Sequence, residues 1–293
     1  MTRAGALTRC VNLLKLPSND LLTATAILRT MAAVAPGHPV VRSFSAVYWR
    51  GGDEAVESVL FRPQFLDKLV AWGGESTIRG ALRYVGPGFE RVSFDPKTSI
   101  SLICREAFAS PQRFAQAADA DATFFNQQAC VASRFQFVEG APEDADRYAA
   151  LLCEHLGVAR GFGWAVGPRV PPPELREEID VLRSLVPDYR VWGGYDGRGL
   201  VIRSLGPVDF HPDGKIVDGV PVDALTAAIA HPGVATQTVG VYPDDRKAEL
   251  RDALACAGVQ RVVSLGKAGG MARGLSHDGF YPLQRMMRWV SEE

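Results

Sequence analysis

The spacing of apolar residues changes along the chain, and each change marks an element. Val11-Asn12-Leu13-Leu14-Lys15 reads as a strand within about ten residues of Met1. Asn19 or Asp20 can cap a helix whose apolar residues Leu21, Leu22, Ile27, Leu28 and Met31 fall mostly on one side, and Pro36-Gly37 ends it. Val40 to Trp49 is rich in β-branched and aromatic residues and predicts a strand. Asp53-Glu54 open a short helix through Leu60. Lys68 to Trp72 predicts a buried strand, followed by Gly73-Gly74, a helix over 75–84 and a strand at Arg91 to Phe94. Strands separated by helices imply βαβ units and a parallel sheet.

The alternation continues beyond residue 98. It predicts a strand at Ser99 to Cys104, a helix from Pro111 to Ala120 and a loop or helix start over Asp121 to Ala132. A strand at Arg134 to Val138 and a helix at Glu143 to Leu156 follow. Pro171-Pro172-Pro173 breaks the chain before a helix at 174–185. The next stretch is rich in turn signals, including Asp196-Gly197 and Asp213-Gly214. Residues 222–231 read as helix. Val234 to Val241, Asp245 to Ala257 and Gln260 to Leu265 read as strand, helix, strand. After Gly269-Gly270 and His277-Asp278-Gly279-Phe280, Leu283 to Val290 is helix-like. The fold class is α/β, without internal repeats.

Length and composition narrow the function classes. A chain of 293 residues makes about two domains. With 47% apolar and 22% charged residues it is not a disordered chain. Its 32 Lys and Arg against 33 Asp and Glu leave no basic excess to attract nucleic acid. No run reaches the roughly 18 apolar residues of a membrane span. The five cysteines include no CxxC pair, so no metal site is expected. With no signal peptide, they are expected as reduced thiols in a cytoplasm.

Cys130 is the cysteine in a setting fit for chemistry. It follows Phe124-Phe125-Asn126-Gln127-Gln128-Ala129 and precedes a strand, so backbone N–H groups at a loop mouth can acidify it. A thiolate there attacks acyl groups. The ordinary explanation of a lone cysteine is an inert core thiol, and Cys10, Cys104, Cys153 and Cys256 are expected to be that. No histidine is placed by sequence as its base; among the five, His277 is the only mild functional candidate. Gly73-Gly74-Glu75-Ser76-Thr77, between a strand and a helix, is where a doubly wound fold can hold a phosphate, though a tight turn is the ordinary explanation. Lys15, in Lys15-Leu16-Pro17-Ser18, can reach a ribose or phosphate, or simply be solvated.

Together these pieces resemble the aldehyde dehydrogenase superfamily. Leu14-Lys15-Leu16-Pro17-Ser18 looks like its ribose-holding strand end. Leu69 to Thr77 looks like its turn at the cofactor phosphates, and Phe124 to Arg134 like its nucleophile segment. Trp72-Gly73-Gly74, Pro96-Lys97-Thr98-Ser99, Asn126 to Cys130, and Asp278-Gly279-Phe280-Tyr281-Pro282-Leu283 with Arg288-Trp289-Val290 are similar to the acyl-CoA reductase branch, the LuxC-like fatty acid reductases.

The resemblance implies a partial Rossmann-type NAD(P)-binding domain at 1–97, an α/β catalytic domain at 98–277 and a tail at 278–293. It implies Cys130 as nucleophile, with Asn126 and Gln127 helping to position the acyl group. Lys15, Ser18, Gly73, Gly74, Glu75 and Thr77 are the implied cofactor contacts. The implied reaction is reduction of a long-chain acyl-CoA or acyl-protein thioester to the aldehyde with NADP or NAD. The implied assembly is a homo-oligomer or a fatty acid reductase complex. A Cys-dependent acyltransferase or thioesterase, and a non-catalytic binding subunit, are the competing functions. Two departures qualify the match. The glutamate that activates water in hydrolytic members falls at Ser93, which cannot serve as that base at neutral pH. Family members are also longer at the N-terminus, so the first cofactor-domain units are expected to be missing.

Overall fold

The computed structural model describes residues 2–158, 167–270, 272 and 274–293. The chain divides into two compact units, 1–96 with 274–293, and 97–273.

The first unit runs α1 (Thr2–Leu7), β1 (Asn12–Lys15), α2 (Thr23–Val34), α3 (Pro39–Arg42), β2 (Phe44–Val47), α4 (Glu54–Leu60), β3 (Lys68–Trp72), α5 (Glu75–Leu82) and β4 (Glu90–Phe94). Asp20, expected as the cap, sits two residues before the N-cap Leu22 and accepts from the N–H groups of Leu22 and Thr23 at 3.1 and 2.9 Å. β1 pairs with β2 and β3 with β4, both in parallel, as two separate ribbons. The strand expected over Val40 to Trp49 is shorter. Pro39 supplies a helical φ, and His38 Nδ1 accepts from Val40 N at 3.2 Å, so 39–42 form a helical turn despite two valines.

The segment expected as a separate tail belongs to this unit. Lys68 Nζ donates to the carbonyls of Arg285 and Met287 at 2.7 and 3.0 Å and pairs with Glu90 at 2.7 Å. Its helix is only Pro282–Met286. A tight turn, with Asp278 at φ +51°, packs His277 and Phe280 each 5.2 Å from the Phe94 ring, which stacks on Trp72 at 4.6 Å.

The second unit contains β5 (Thr98–Ile103), α6 (Pro111–Ala122), β6 (Ser133–Glu139), α7 (Pro142–Leu156), α8 (Pro173–Ser184), β7 (Tyr189–Gly193), β8 (Leu200–Ser204), β9 (Ile216–Val222), α9 (Leu225–Ala228), β10 (Thr236–Tyr242), α10 (Lys247–Cys256) and β11 (Arg261–Ser264). Its seven strands form one sheet in the order β11-β10-β5-β6-β9-β8-β7, parallel except for β7 at the edge. Three of them, β7 to β9, occupy the stretch expected to be turns, and the helix expected over 222–231 shrinks to α9. Alternation along the strands sends Ile103, Val138, Val201 and Val217 to one face, where Phe114, Tyr148 and Leu152 of α6 and α7 cover them. Leu102, Phe137 and Val239 face Leu225 and Leu250 on the other side, beside Leu175 and Ile179 of α8. Helices therefore cover both faces, as a largely parallel sheet requires.

β9 carries a buried acid. Asp218 is 0% exposed and accepts from Ser204 Oγ at 2.6 Å and Val208 N at 2.9 Å. Burial pushes its carboxyl up to about 7 against those two bonds. The folded value exceeds the unfolded one, so its contribution is fully present below about pH 4 and is lost as the pH rises through 7. Asp218→Asn keeps both partners, since its oxygen can accept from Val208 N and its NH2 donate to Ser204. We expect equal urea stability of variant and wild type near pH 4, and a variant more stable by about 2–4 kcal/mol at pH 8. A variant weaker than wild type at pH 8 would contradict this.

Candidate active site

The Cys130 segment leaves α6 through a backbone that ordinary residues avoid. Thr123 Oγ1 donates to Asp119 O at 2.8 Å and closes the helix. Phe125 (φ 49°, ψ 43°), Asn126 (φ 53°, ψ 39°) and Gln127 (φ 65°) then lie consecutively in the left-handed region, and none is glycine. Each such residue costs roughly 1–2 kcal/mol, less for Asn, so the run needs external anchors.

The anchors are visible. Gln127 is fully buried, and its side-chain amide is spent on one residue: Nε2 donates to Ile216 O at 2.6 Å and Oε1 accepts from Ile216 N at 3.0 Å. Arg134, 7% exposed, donates Nη2 to Gln127 O at 2.5 Å and Nη1 to Pro212 O. Downstream, Ser99 Oγ donates to Cys130 O at 2.7 Å and accepts from Thr238 N at 3.2 Å. Cys130 is half-buried, three residues before β6, at the amino end of the sheet. Phe125 and Gln128 beside it are exposed.

Phe124 is braced from the chain's far end. A Cβ on Gly269 would lie 2.5 Å from the Phe124 ring, so only glycine allows this approach. The loop bearing Gly269 is tied by Asp121, whose two oxygens accept from Gly266 N and Ala268 N, each at 2.8 Å. Burial raises the Asp121 carboxyl to about 6 against these bonds. Gly240 makes room for it, since a Cβ there would stand 2.8 Å from Asp121 Oδ2.

The cations near the run are partly desolvated. Asp213 lies 3.7 Å from Arg134 and 2.7 Å from Arg169. Burial alone would raise its carboxyl, but the Arg169 bond and both guanidinium charges hold it below the usual range. Burial lowers the Arg134 guanidinium, with Asp213 opposing.

The residues implied as cofactor contacts lie in the first unit. Lys15 ends β1 exposed, its Nζ 5.5 Å from the Trp49 ring centre, and Ser18 is exposed after it. Gly73 faces Thr77, whose Cβ would be 3.3 Å from an added Cβ. Gly74 caps α5 with nothing within 4 Å of where a side chain would start. Glu75 pairs with Arg79, and Thr77 is exposed in the first turn. A strand, an open glycine and a helix start fit a dinucleotide phosphate.

Several expectations change. The Gln127 amide, expected to position an acyl group, is committed to the Ile216 backbone and is part of the scaffold. Asn126 is half-buried at the middle of the left-handed run. Of the four cysteines expected in the core, Cys104 is buried, Cys10 and Cys153 are half-buried and Cys256 is exposed. Ser93 sits in β4. Among the described residues, Cys104, Glu106 and Glu139 could approach one ion. Glu139 is already paired with Arg105 at 3.5 Å and Glu106 with Arg246 at 3.0 Å, while burial raises the Cys104 thiol to about 12, so the group suits a proton better than a metal. Sequence reasoning gave no role to Ser99, Asp121, Arg134 or Asp213. Arg134 lies four residues after Cys130, and a charged residue opening a predicted strand was the available signal.

The family model for acyl-CoA reductase (LuxC) matches residues 2–160 and 184–289. The long-chain acyl-protein thioester reductase of Photorhabdus laumondii is 29% identical over 98% of this chain and 59% of its own length. That of Photorhabdus luminescens is 30% identical, with the same coverage. The chain thus spans about three fifths of the length of these relatives. Among solved structures, a NAD-dependent benzaldehyde dehydrogenase from Corynebacterium glutamicum superposes with a TM-score of 0.64 at 16% identity, over 86% of this chain and 57% of that one. An NADP-dependent glyceraldehyde-3-phosphate dehydrogenase from Bacillus halodurans also gives 0.64, at 14% identity over 85% of this chain and 54% of that one. The fold is that of the aldehyde dehydrogenases, and the chain belongs to the acyl-CoA reductase (LuxC) family.

Proposed function

We propose that this chain takes part in reducing a long-chain acyl thioester to the aldehyde through a thioester on Cys130. The observation that carries the reading is the strained, anchored run that ends in a half-buried thiol at the amino end of the sheet, in a chain of this family. The Cys130 thiolate attacks the thioester carbonyl carbon. A carbon–sulfur bond to Cys130 forms, the bond to the carrier sulfur breaks, and the carrier leaves as a thiol after taking a proton. The Asn126 amide would help to position the acyl group. The resemblance puts Ser93 where hydrolytic members carry the water-activating glutamate, which favours reduction of the acyl-enzyme over its hydrolysis. A nicotinamide dinucleotide, held by Lys15, Ser18, Gly73, Gly74, Glu75 and Thr77, would supply the hydride that releases the acyl group as aldehyde. The relatives' names favour a protein-borne thioester over CoA.

The dinucleotide assignment has a direct test. A side chain at Gly74 meets no protein atom, and its φ of −67° and ψ of 166° suit a β-branched residue. Gly74→Val should therefore keep the wild-type unfolding midpoint while weakening NADPH and NADH binding at least about tenfold, read by fluorescence titration. Unchanged binding would remove the turn from the cofactor site. Aldehyde formation from acyl-CoA and acyl-carrier-protein substrates with NADPH then tests the reaction itself.

A further inference from the structure

We infer that the Arg134 guanidinium is a positioning residue for the Cys130 thiol, acting through the left-handed run it holds. This rests on Cys130 being the reactive thiol. Two carbonyls from segments far apart in the chain converge on one buried guanidinium: Gln127 O, in the run itself, and Pro212 O, in the segment that leads into β9. The same segment supplies Ile216, whose N–H and C=O hold the Gln127 amide. Gln127 is therefore fixed twice to 212–216, once through its carbonyl by way of Arg134 and once through its side chain. That segment is itself held. Asp213 bridges to Arg169 at 2.7 Å, and Lys215 Nζ donates to Gly167 O at 2.6 Å.

The fork geometry is what the site uses. A guanidinium can donate to two carbonyls in different directions from one plane, while an ammonium on the lysine stem presents a single point. Ser99 holds the other side of the thiol's residue through Cys130 O, so the thiol hangs between two fixed points. Releasing one of them lets Phe125, Asn126 and Gln127 relax toward ordinary backbone conformations and rotates the thiol away. Asp213 keeps Arg169 when Arg134 is removed, so no carboxylate is stranded by the substitution.

The test is alkylation of Cys130 by iodoacetamide, followed by peptide mass mapping from pH 6 to 10 on the full chain. Cys256, exposed on α10, reports general reactivity in the same sample. We expect Arg134→Gln and Arg134→Lys each to slow Cys130 alkylation at least about tenfold, with Cys256 unchanged. Asp213→Asn leaves the guanidinium in place and should give a smaller change in the same direction, which keeps the inference testable should Arg134→Gln not fold. Wild-type alkylation in Arg134→Gln, or full rescue by Arg134→Lys, would overturn the positioning role; the second result would assign the effect to charge alone. Alkylation needs no acyl substrate. A protein that never forms an acyl-enzyme, yet whose Cys130 reactivity follows Arg134, would sink the proposed function and leave this inference standing.

Discussion

Cys130→Ala should abolish acyl transfer to the protein and lower aldehyde formation by about 10⁴-fold or more, with the fold intact. The magnitude follows from removing a nucleophile, a loss that no remaining donor can replace. The fold should survive because the residue is half-buried and alanine is smaller, so the change leaves only a small void. The anchors of the run also survive, since Ser99 holds the carbonyl of residue 130 and not its side chain. Stopped-flow release of carrier thiol, with far-UV circular dichroism as the folding control, checks the prediction. A variant that still releases stoichiometric thiol would assign the attack to another residue.

The second large effect concerns Asp121. Asp121→Ala leaves the N–H groups of Gly266 and Ala268 without their acceptor, at about 1–3 kcal/mol each, so the variant should lose roughly 2–5 kcal/mol of urea stability. Asp121→Asn should do almost as badly. Its amide has one accepting oxygen for two N–H donors, and its NH2 would face a donor. This is the opposite of Asp218, where one partner is a hydroxyl that can also accept. Burial raises the Asp121 carboxyl to about 6, above its unfolded value, so its own titration weakens the fold as the pH rises from about 4 through 6. The variants are therefore compared with wild type near pH 5, before that loss is complete. Hydrogen exchange at the amides of residues 266 and 268 should accelerate in both variants. Unchanged protection there, with stability within 1 kcal/mol of wild type, would show that another group holds the loop.

Much of this architecture could be read in the chain, for local reasons. β3 falls on Lys68–Trp72 as expected, because an apolar run ended by Gly-Gly has few other solutions, but of the strand expected to be buried only Ala71 is. α7 is legible from a proline at its first position and apolar residues at helical spacing. β7 to β9 were hidden by glycine and proline. Gly193, Gly197, Gly199 and Gly214 all adopt positive φ at the joints between these strands, and they look like loop composition. Pro221 lies inside β9, a residue type that central strands disfavour. It is tolerated because the pairing with β8 stops at Gly219.

The chemistry of the site was legible only in part. A thiol flanked by amides and small residues stands out as a candidate within a dozen positions, and only the family resemblance set it above an ordinary core cysteine. What those amides do depends on partners far along the chain. Ile216 is 89 positions from Gln127, and Pro212 is 78 from Arg134. No local pattern encodes such pairings, so Gln127 reads as a polar side chain awaiting a substrate until the fold shows it turned into the sheet. The left-handed backbone was equally hidden, because Phe-Asn-Gln carries no glycine to announce it.

The most direct measurement exposes the wild-type chain to an isotopically labelled long-chain acyl thioester without dinucleotide, quenches it in acid and maps the peptides by mass. One acyl group per chain is expected, on the peptide holding Cys130, removed by neutral hydroxylamine as a thioester must be. Label on another residue, or none on a chain shown to be folded, would contradict it.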